Sequence, residues 1–440
     1  MNKRGVIMMM PAVFLLGCVE QAEDVEQAQD AGQVQDVGQA QDVEQARDSG
    51  WNLPNKSDQR VMGGYDVVKG WPKDLSTLPG HEGWTWGAVQ GVFAQNPDRI
   101  FVTMRGELRK LPEDIPAQVI EIEDQAGGTM RLSAPVRRAP ARNPSLDPMG
   151  SPGEPHWPTI GEEGRDYRWE HVVFVVDRDG EVVEWGAQWN SMFKRVHKIR
   201  ISPYDPEKRV WVIDDAANAI YIFSNDGQEL LQTLGTPGER GNDETHFYRQ
   251  TDVAWLPEGI FFVADGYENT RVVKFGKEGD YLMSWGEPSE PGGNEKRPNY
   301  FNEVHSIAID AERRVYVSDR ANRRIQIFDE NGNFIDQWYL GDINVTYDML
   351  ITADQHLWMS DGHGNYKIYK YNLDGEMLLT WGSWGPKPGQ LWGVHQMGVD
   401  QDGSLYVAEV LNARVQKFVP REGANPDYLV GKPAYPTWQE

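Results

Sequence analysis

Three histidines in this 440-residue chain share one position of a repeating pattern. His197, His305 and His395 each open a short β-rich run, and the matching position of the other copies holds Gln90, Thr251 or Tyr347. In chain order the six positions read Gln, His, Thr, His, Tyr, His, so the imidazoles fall on every second copy. Neutral imidazole nitrogens are ligands for zinc and related transition metals. Three of them leave a coordination position for water or substrate. A lone histidine at a strand start is ordinarily just hydrogen-bonded or exposed. Passive copying of a repeat, however, would place histidine on adjacent copies as well. The other six histidines share no such register, although His363, in SDGHGN, is placed to reach the same end of the molecule.

Two arginines share a second register. Arg105 lies fifteen residues after Gln90, and Arg320 lies fifteen after His305. Two guanidiniums directed at one opening suit an anion, most simply a carboxylate. The plain alternative for Arg320 is a salt bridge to a neighbouring Asp. Tyr267, in DGYENTR, occupies the corresponding loop of the third copy. A phenol beside a metal can serve as a base; turn packing is its plain alternative.

The elements that carry these residues repeat. RVWVIDDAANAIYIF, IFFVADGYENTRVVKF, RVYVSDRANRRIQIF, LWMSDGHGNYKIYKY and LYVAEVLNARVQKF each join two strands through an acidic residue and a turn. NDGQELLQTLG, KEGDYLMSWG, ENGNFIDQWYL and LDGEMLLTWG then add an outer strand, with Asp-Gly and Asn-Gly hairpin signals. Units of 42 to 54 residues built this way are four-stranded antiparallel meanders. A less regular first copy, GAVQGVFAQNPDRIFVTMRGELRKL, resumes at HVVFVVDRDGEVVEWG after an insertion. The last copy lacks an outer strand, which GYDVVKGW, residues 64 to 71, can supply, closing the ring and removing an exposed edge. The expected fold is all-β, a six-bladed β-propeller of NHL type over residues 61–425. Alternate blades of such a ring are a third of a turn apart, so three imidazoles converge on its channel. Residues 111–165 carry nine prolines and read as a long loop, either a functional cover or a passive excursion.

The remaining features bound the setting. A formal net charge of −24 argues against nucleic acid as a partner. Residues 1–17 read as a signal peptide: Lys3 and Arg4, then VIMMMPAVFLL, then LLGC. The LLGC sequence resembles a bacterial lipobox, which implies a lipid on Cys18, the sole cysteine, and an anchor in the cell envelope. Val19 then favours the outer membrane of a Gram-negative cell. Residues 18–60 form the expected linker; within it, DVEQAQ-type hexads carry nine acidic residues and one arginine over 19–50. That composition reads as a flexible, self-repelling tether. Residues 426–440 are the C-terminal tail, and a closed ring needs no partner to fold, so a monomer is expected.

The run HFYRQTDVAW…FFVADGYENTRVVKF…SWGE…VHSIAID…VYVSDRANRRIQIF resembles the peptidyl-α-hydroxyglycine α-amidating lyase family, from about residue 84 to 420 outside the insertion. The resemblance implies a propeller holding zinc on His197, His305 and His395. It also implies a catalytic Tyr267 and active-site arginines at Arg105 and Arg320. The implied reaction breaks a carbinolamide N–C bond, giving an amide and glyoxylate from a peptide C-terminus or a small N-acyl compound bearing a carboxylate. The family's Met two residues before the last histidine is here Gly393. The Asp after that histidine, which helps hold calcium in the family, is here Gln396, so calcium is open. Two other readings stand beside the lyase. One is a surface-anchored binding propeller. The other is a metal-dependent hydrolase, whose calcium site of Asp, Glu and Asn three histidines match poorly.

Overall fold

Each blade begins at the channel with a strand rich in β-branched residues and ends at the rim with a half-exposed one. The computed structural model describes residues 62–110, 118–123, 129–134, 163–165, 167–290, 295–341 and 345–434. The expected leader, Cys18 and the tether through residue 60 lie outside the described residues, as do much of 111–165 and the end of the tail.

Six four-stranded antiparallel sheets make the ring. Blade 1 comprises Val89–Asn96, Arg99–Met104, Val173–Val176 and Val182–Glu184. Blade 2 comprises Val196–Ile201, Val210–Asp214, Ala219–Phe223 and Leu230–Leu234. Blade 3 comprises Gln250–Trp255, Phe261–Asp265, Arg271–Phe275 and Tyr281–Trp285. Blade 4 comprises Val304–Ile309, Val315–Asp319, Arg324–Phe328 and Phe334–Tyr339. Blade 5 comprises Thr346–Ile351, Leu357–Asp361, Ile368–Tyr371 and Met377–Trp381. Blade 6 comprises Val394–Val399, Leu405–Glu409 and Arg414–Pro420, and takes its outer strand, Tyr65–Val67, from the start of the ring. Tyr65 pairs with Pro420 and Val67 with Phe418, as GYDVVKGW suggested. Inner strands adjoin from blade 1 through blade 6 and back to blade 1.

Two local devices lock the blades. Hairpin glycines Gly227, Gly332 and Gly375 have positive φ, and a Cβ on each would strike Trp185, Trp285 or Trp338 of the preceding blade within 3.0 Å. Turn conformation and close approach therefore both demand glycine. Gly63 sits on Trp381 in the same way, so the closing strand reproduces the joint of the internal blades. Second, the acidic residue ending the second strand of blades 2 to 6 caps the loop that leads into the inner strand. Asp214 accepts from the backbone N–H of Lys194 (2.6 Å) and Arg195 (2.9 Å), Asp319 from Asn302 (2.7 Å), and Glu409 from Trp392 (2.6 Å). These caps fix the segment immediately before each histidine.

The insertion differs from the expected loop. It contains a hairpin, Gln118–Glu123 paired with Thr129–Ala134. QVIEIE and TMRLSA alternate in polarity around AGG, a signal masked by the surrounding prolines. Its two ends meet in a small sheet of Trp84–Trp86, Glu107–Arg109 and Tyr167–Arg168. Near the C-terminus, the Val430 N–H donates to the Tyr65 hydroxyl at 2.7 Å, seating residues 426–434 on the closing blade.

Candidate metal centre and its surroundings

Pairing between the first two strands breaks at the same place in every blade, skipping one inner-strand residue in five of them and His305 with Ser306 in blade 4. The ladder jumps from Val196 to Lys198, Gln250 to Asp252, Val394 to Gln396, and equivalently in blades 1 and 5. The extra residue of each bulge is the register residue: Gln90, His197, Thr251, His305, Tyr347 or His395. A bulge re-aims a side chain that a regular strand would hold in its pleat.

The three histidines meet. Their rings lie 4.6 to 5.3 Å apart by centroid, and one nitrogen from each falls within 4.8 Å of the others. All three are buried. Each Nδ1–H donates to the backbone carbonyl of the register residue on the next blade. His197 donates to Thr251 (2.8 Å), His305 to Tyr347 (2.8 Å) and His395 to Gln90 (2.7 Å). A carbonyl only accepts, so the tautomer is set and every Nε2 keeps its lone pair. Burial holds the rings neutral: His197 is pushed down to about 3. His305 and His395 fall well below the usual range, burial first, then neighbouring Arg320 for His305 and His197 for His395.

Tyr267 joins them. Its hydroxyl lies 3.1 Å from His197 Nε2 and 3.0 Å from His305 Nε2. One phenol proton cannot serve two acceptors, whereas a cation among three lone pairs satisfies all of them. The donor set therefore fits a transition-metal ion with an open position. Guanidiniums of Arg249 (4.3 Å) and Arg320 (5.1 Å) lie against the Tyr267 ring.

Around this point sit four arginines. Arg195 and Arg249 share Asp215, with Arg249 Nη2 at 2.9 Å. Burial would raise the Asp215 carboxyl, but the two guanidiniums outweigh it and hold it far below the carboxylate range. Arg320 is engaged by Glu303, its Nε donating at 2.8 Å. A salt bridge therefore exists, but to a glutamate two residues before His305 rather than to the expected Asp. Arg105 has no described carboxylate partner; its Nη2 donates to Gln90 Oε1 at 3.2 Å. Burial, and then the charge of Arg195, pull it down to about 10. His363 reaches the same end, its ring 5.6 Å from that of Tyr347.

One residue beyond the register, a second layer seals the channel. Lys198 Nζ donates across the axis to Asp252 and Asp348, each at 2.8 Å, and all three are fully buried. Arg200 binds the same two carboxylates, at 2.9 and 2.6 Å. Gln396 also belongs to this layer. Its amide donates to Ile199 O (2.8 Å) and accepts from Ile199 N (3.3 Å). A Cβ on Gly91 would meet the Gln396 oxygen at 2.7 Å, so glycine makes room for it. A neutral amide bonded on both sides to Ile199 offers calcium no negative charge, unlike an aspartate.

A second histidine group, His81 and His171 with Glu107, lies in the sheet at the base of the insertion. Glu107 Oε1 accepts from His81 (2.8 Å) and His171 (2.6 Å), and its Oε2 from Arg168 (2.6 Å). Arg168 Nη2 also reaches His81 Nδ1 at 2.7 Å. A guanidinium fills the position a metal would take.

Arg195, Arg249, Glu303, Lys198, Asp252 and Asp348 were missed by the sequence reading. All sit two residues before or one after the register position. The same alignment, read at those offsets, places charged residues on blades 2 to 5.

No protein-family model matches the chain. It is similar to peptidyl-alpha-hydroxyglycine alpha-amidating lyase 1 of Drosophila melanogaster, 30% identical over 55% of this chain and 47% of that protein. Peptidyl-glycine alpha-amidating monooxygenase A of Xenopus laevis is 36% identical over 38% of this chain and 18% of its own. NHL repeat-containing protein 3 of Homo sapiens is 27% identical over 58% and 75%. The chain thus spans less than half the length of these two amidating relatives. Among solved structures, a streptogramin B lyase structure matches at a TM-score of 0.42 and 10% identity, over 76% of this chain and 93% of that one.

Proposed function

We propose that the chain is a zinc-dependent lyase acting on α-hydroxyglycine derivatives, releasing an amide and glyoxylate. The carrying observation is the convergence of three neutral imidazoles, each pinned by a carbonyl, with the hydroxyl of Tyr267 bonded to two of them. The names of the Drosophila and Xenopus relatives support the reaction class.

A divalent ion held by His197, His305 and His395 supplies Lewis acidity toward the substrate hydroxyl. The chain supplies the rest. Tyr267, beside His197 and His305, is the group placed to take the hydroxyl proton. As that proton leaves, the carbon–oxygen bond becomes a carbonyl and the carbon–nitrogen bond breaks. The departing nitrogen gains a proton and becomes a primary amide. Arg105 is the residue for the substrate's carboxylate, holding the reacting carbon in place; Arg320, on the opposite side, is engaged by Glu303. The plug of Lys198, Arg200, Asp252 and Asp348 closes the channel beneath, so substrate enters and products leave by the arginine-lined end.

The test is glyoxylate release from an N-acyl-α-hydroxyglycine. Chelation should abolish it and added zinc restore it. Turnover indifferent to a chelator would remove the metal from the account, and metal-loaded protein without any turnover would favour a binding propeller.

A further inference from the structure

Three of the four arginines at the mouth already have carboxylates. Arg105 has none among the described residues, and its buried Nε lacks any hydrogen-bond partner. Beside it, Gln90 is fully buried, and its Nε2 is also without a partner. A buried donor left open is costly, the more so when charged. Two open donors on adjacent side chains call for an acceptor, and the guanidinium calls for a negative one. A carboxylate supplies two oxygens in a plane, the shape a guanidinium edge and an amide can share. The site adjoins the triad, since the Gln90 carbonyl receives the His395 Nδ1–H.

On the opposite side, Arg320 is occupied. Glu303 takes it through Nε at 2.8 Å and Nη2 at 2.7 Å, and the guanidinium is nearly enclosed. Propeller architecture does not demand an acid there. The equivalent positions, two before the register residue, hold Ala88, Val345 and Gly393 in blades 1, 5 and 6. Glu303 also adopts a φ of +62°, as Gly393 does at +71°. Glycine would relieve that backbone, so the side chain is what the strained residue contributes.

We propose that the substrate's carboxylate is received on blade 1 by Gln90 together with Arg105, and that Glu303 withholds Arg320 from it. The substrate class rests on the lyase reading above. Specificity then follows from competition: one compact carboxylate is accepted on blade 1, and a second acidic group facing blade 4 is repelled by Glu303.

The probe is N-acetylglycine, which carries the carboxylate but no hydroxyl and so cannot be turned over. Its binding to the full chain is measured by calorimetry, with its methyl ester as the uncharged comparison. Arg105→Gln and Gln90→Met should each weaken N-acetylglycine by roughly tenfold or more, and narrow its advantage over the ester. Glu303→Gln should tighten N-acetylglycine by roughly three- to tenfold, and Glu303→Asp should return it toward the original value. Normal binding by Arg105→Gln and Gln90→Met would overturn the proposal, as would unchanged or weaker binding by Glu303→Gln. If Gln90→Met does not fold, Gln90→Asn is read in its place: it keeps the donor but withdraws it, and it must still weaken binding. Because the probe is unreactive, failure of the lyase reading appears separately, as absent glyoxylate release with binding intact.

Discussion

Two groups of histidines in this molecule are built from the same ring and do opposite things. In the channel, each Nδ1–H of His197, His305 and His395 meets a backbone carbonyl, no carboxylate among the described residues bonds to any ring, and burial keeps all three neutral. At the base of the insertion, His171 donates toward Glu107 (2.6 Å) and lies 3.1 Å from Glu184. Burial opposes its charge, but those two hydrogen bonds outweigh burial and raise it to about 9. The partner of the ring decides the outcome. A carbonyl leaves a lone pair for a metal, whereas carboxylates on both nitrogens make a cation. Arg168 completes that ion cluster and ties together the two ends of the inserted segment.

The largest effect that distinguishes the groups is catalytic. Tyr267→Phe removes the one hydroxyl shared by two channel imidazoles. It should lower kcat by roughly 10²–10⁴ with little change in KM. A rise in KM at constant kcat would reduce Tyr267 to a binding residue. No change at the insertion base should do this.

A smaller effect belongs to the other group and concerns stability. His171 has a folded-state pKa raised to about 9 from an ordinary 6.5, so its contribution is complete below pH 6.5 and is lost as pH rises through about 9. The chain should therefore lose roughly 1–2 kcal/mol of stability between those values from this group. His171→Asn, which tolerates the same left-handed backbone, should flatten that slope. Thermal midpoints at pH 6.5 and 9 decide it: identical slopes in both proteins would mean that His171 is not charged in the folded state.

Much of the channel was legible because repetition exposes it. The hairpin glycines, the acidic caps and the register of His197, His305 and His395 recur at fixed offsets, and a ring turns equal offsets into one place. Arg105, Arg320 and Tyr267 were legible for the same reason. What escaped depends on neighbours that sequence distance hides. Glu303 and Arg320 are seventeen residues apart but flank two strands of one blade, and the pairing shows only once the loops are folded. Glu107 and His171 are separated by 64 residues and an insertion, with no repeat to align them. The Lys198 plug lay one step from the histidine register. It went unread because alternation along a regular strand sends the next side chain to the opposite face, which the bulge prevents.

The most direct test of the central claim is metal content by elemental analysis of the purified chain, compared with His305→Ala and His171→Asn. We expect one zinc-like ion per chain, lost in His305→Ala and kept in His171→Asn. An ion that survives His305→Ala, or one that departs with His171→Asn, would contradict the assignment of the channel imidazoles as its ligands.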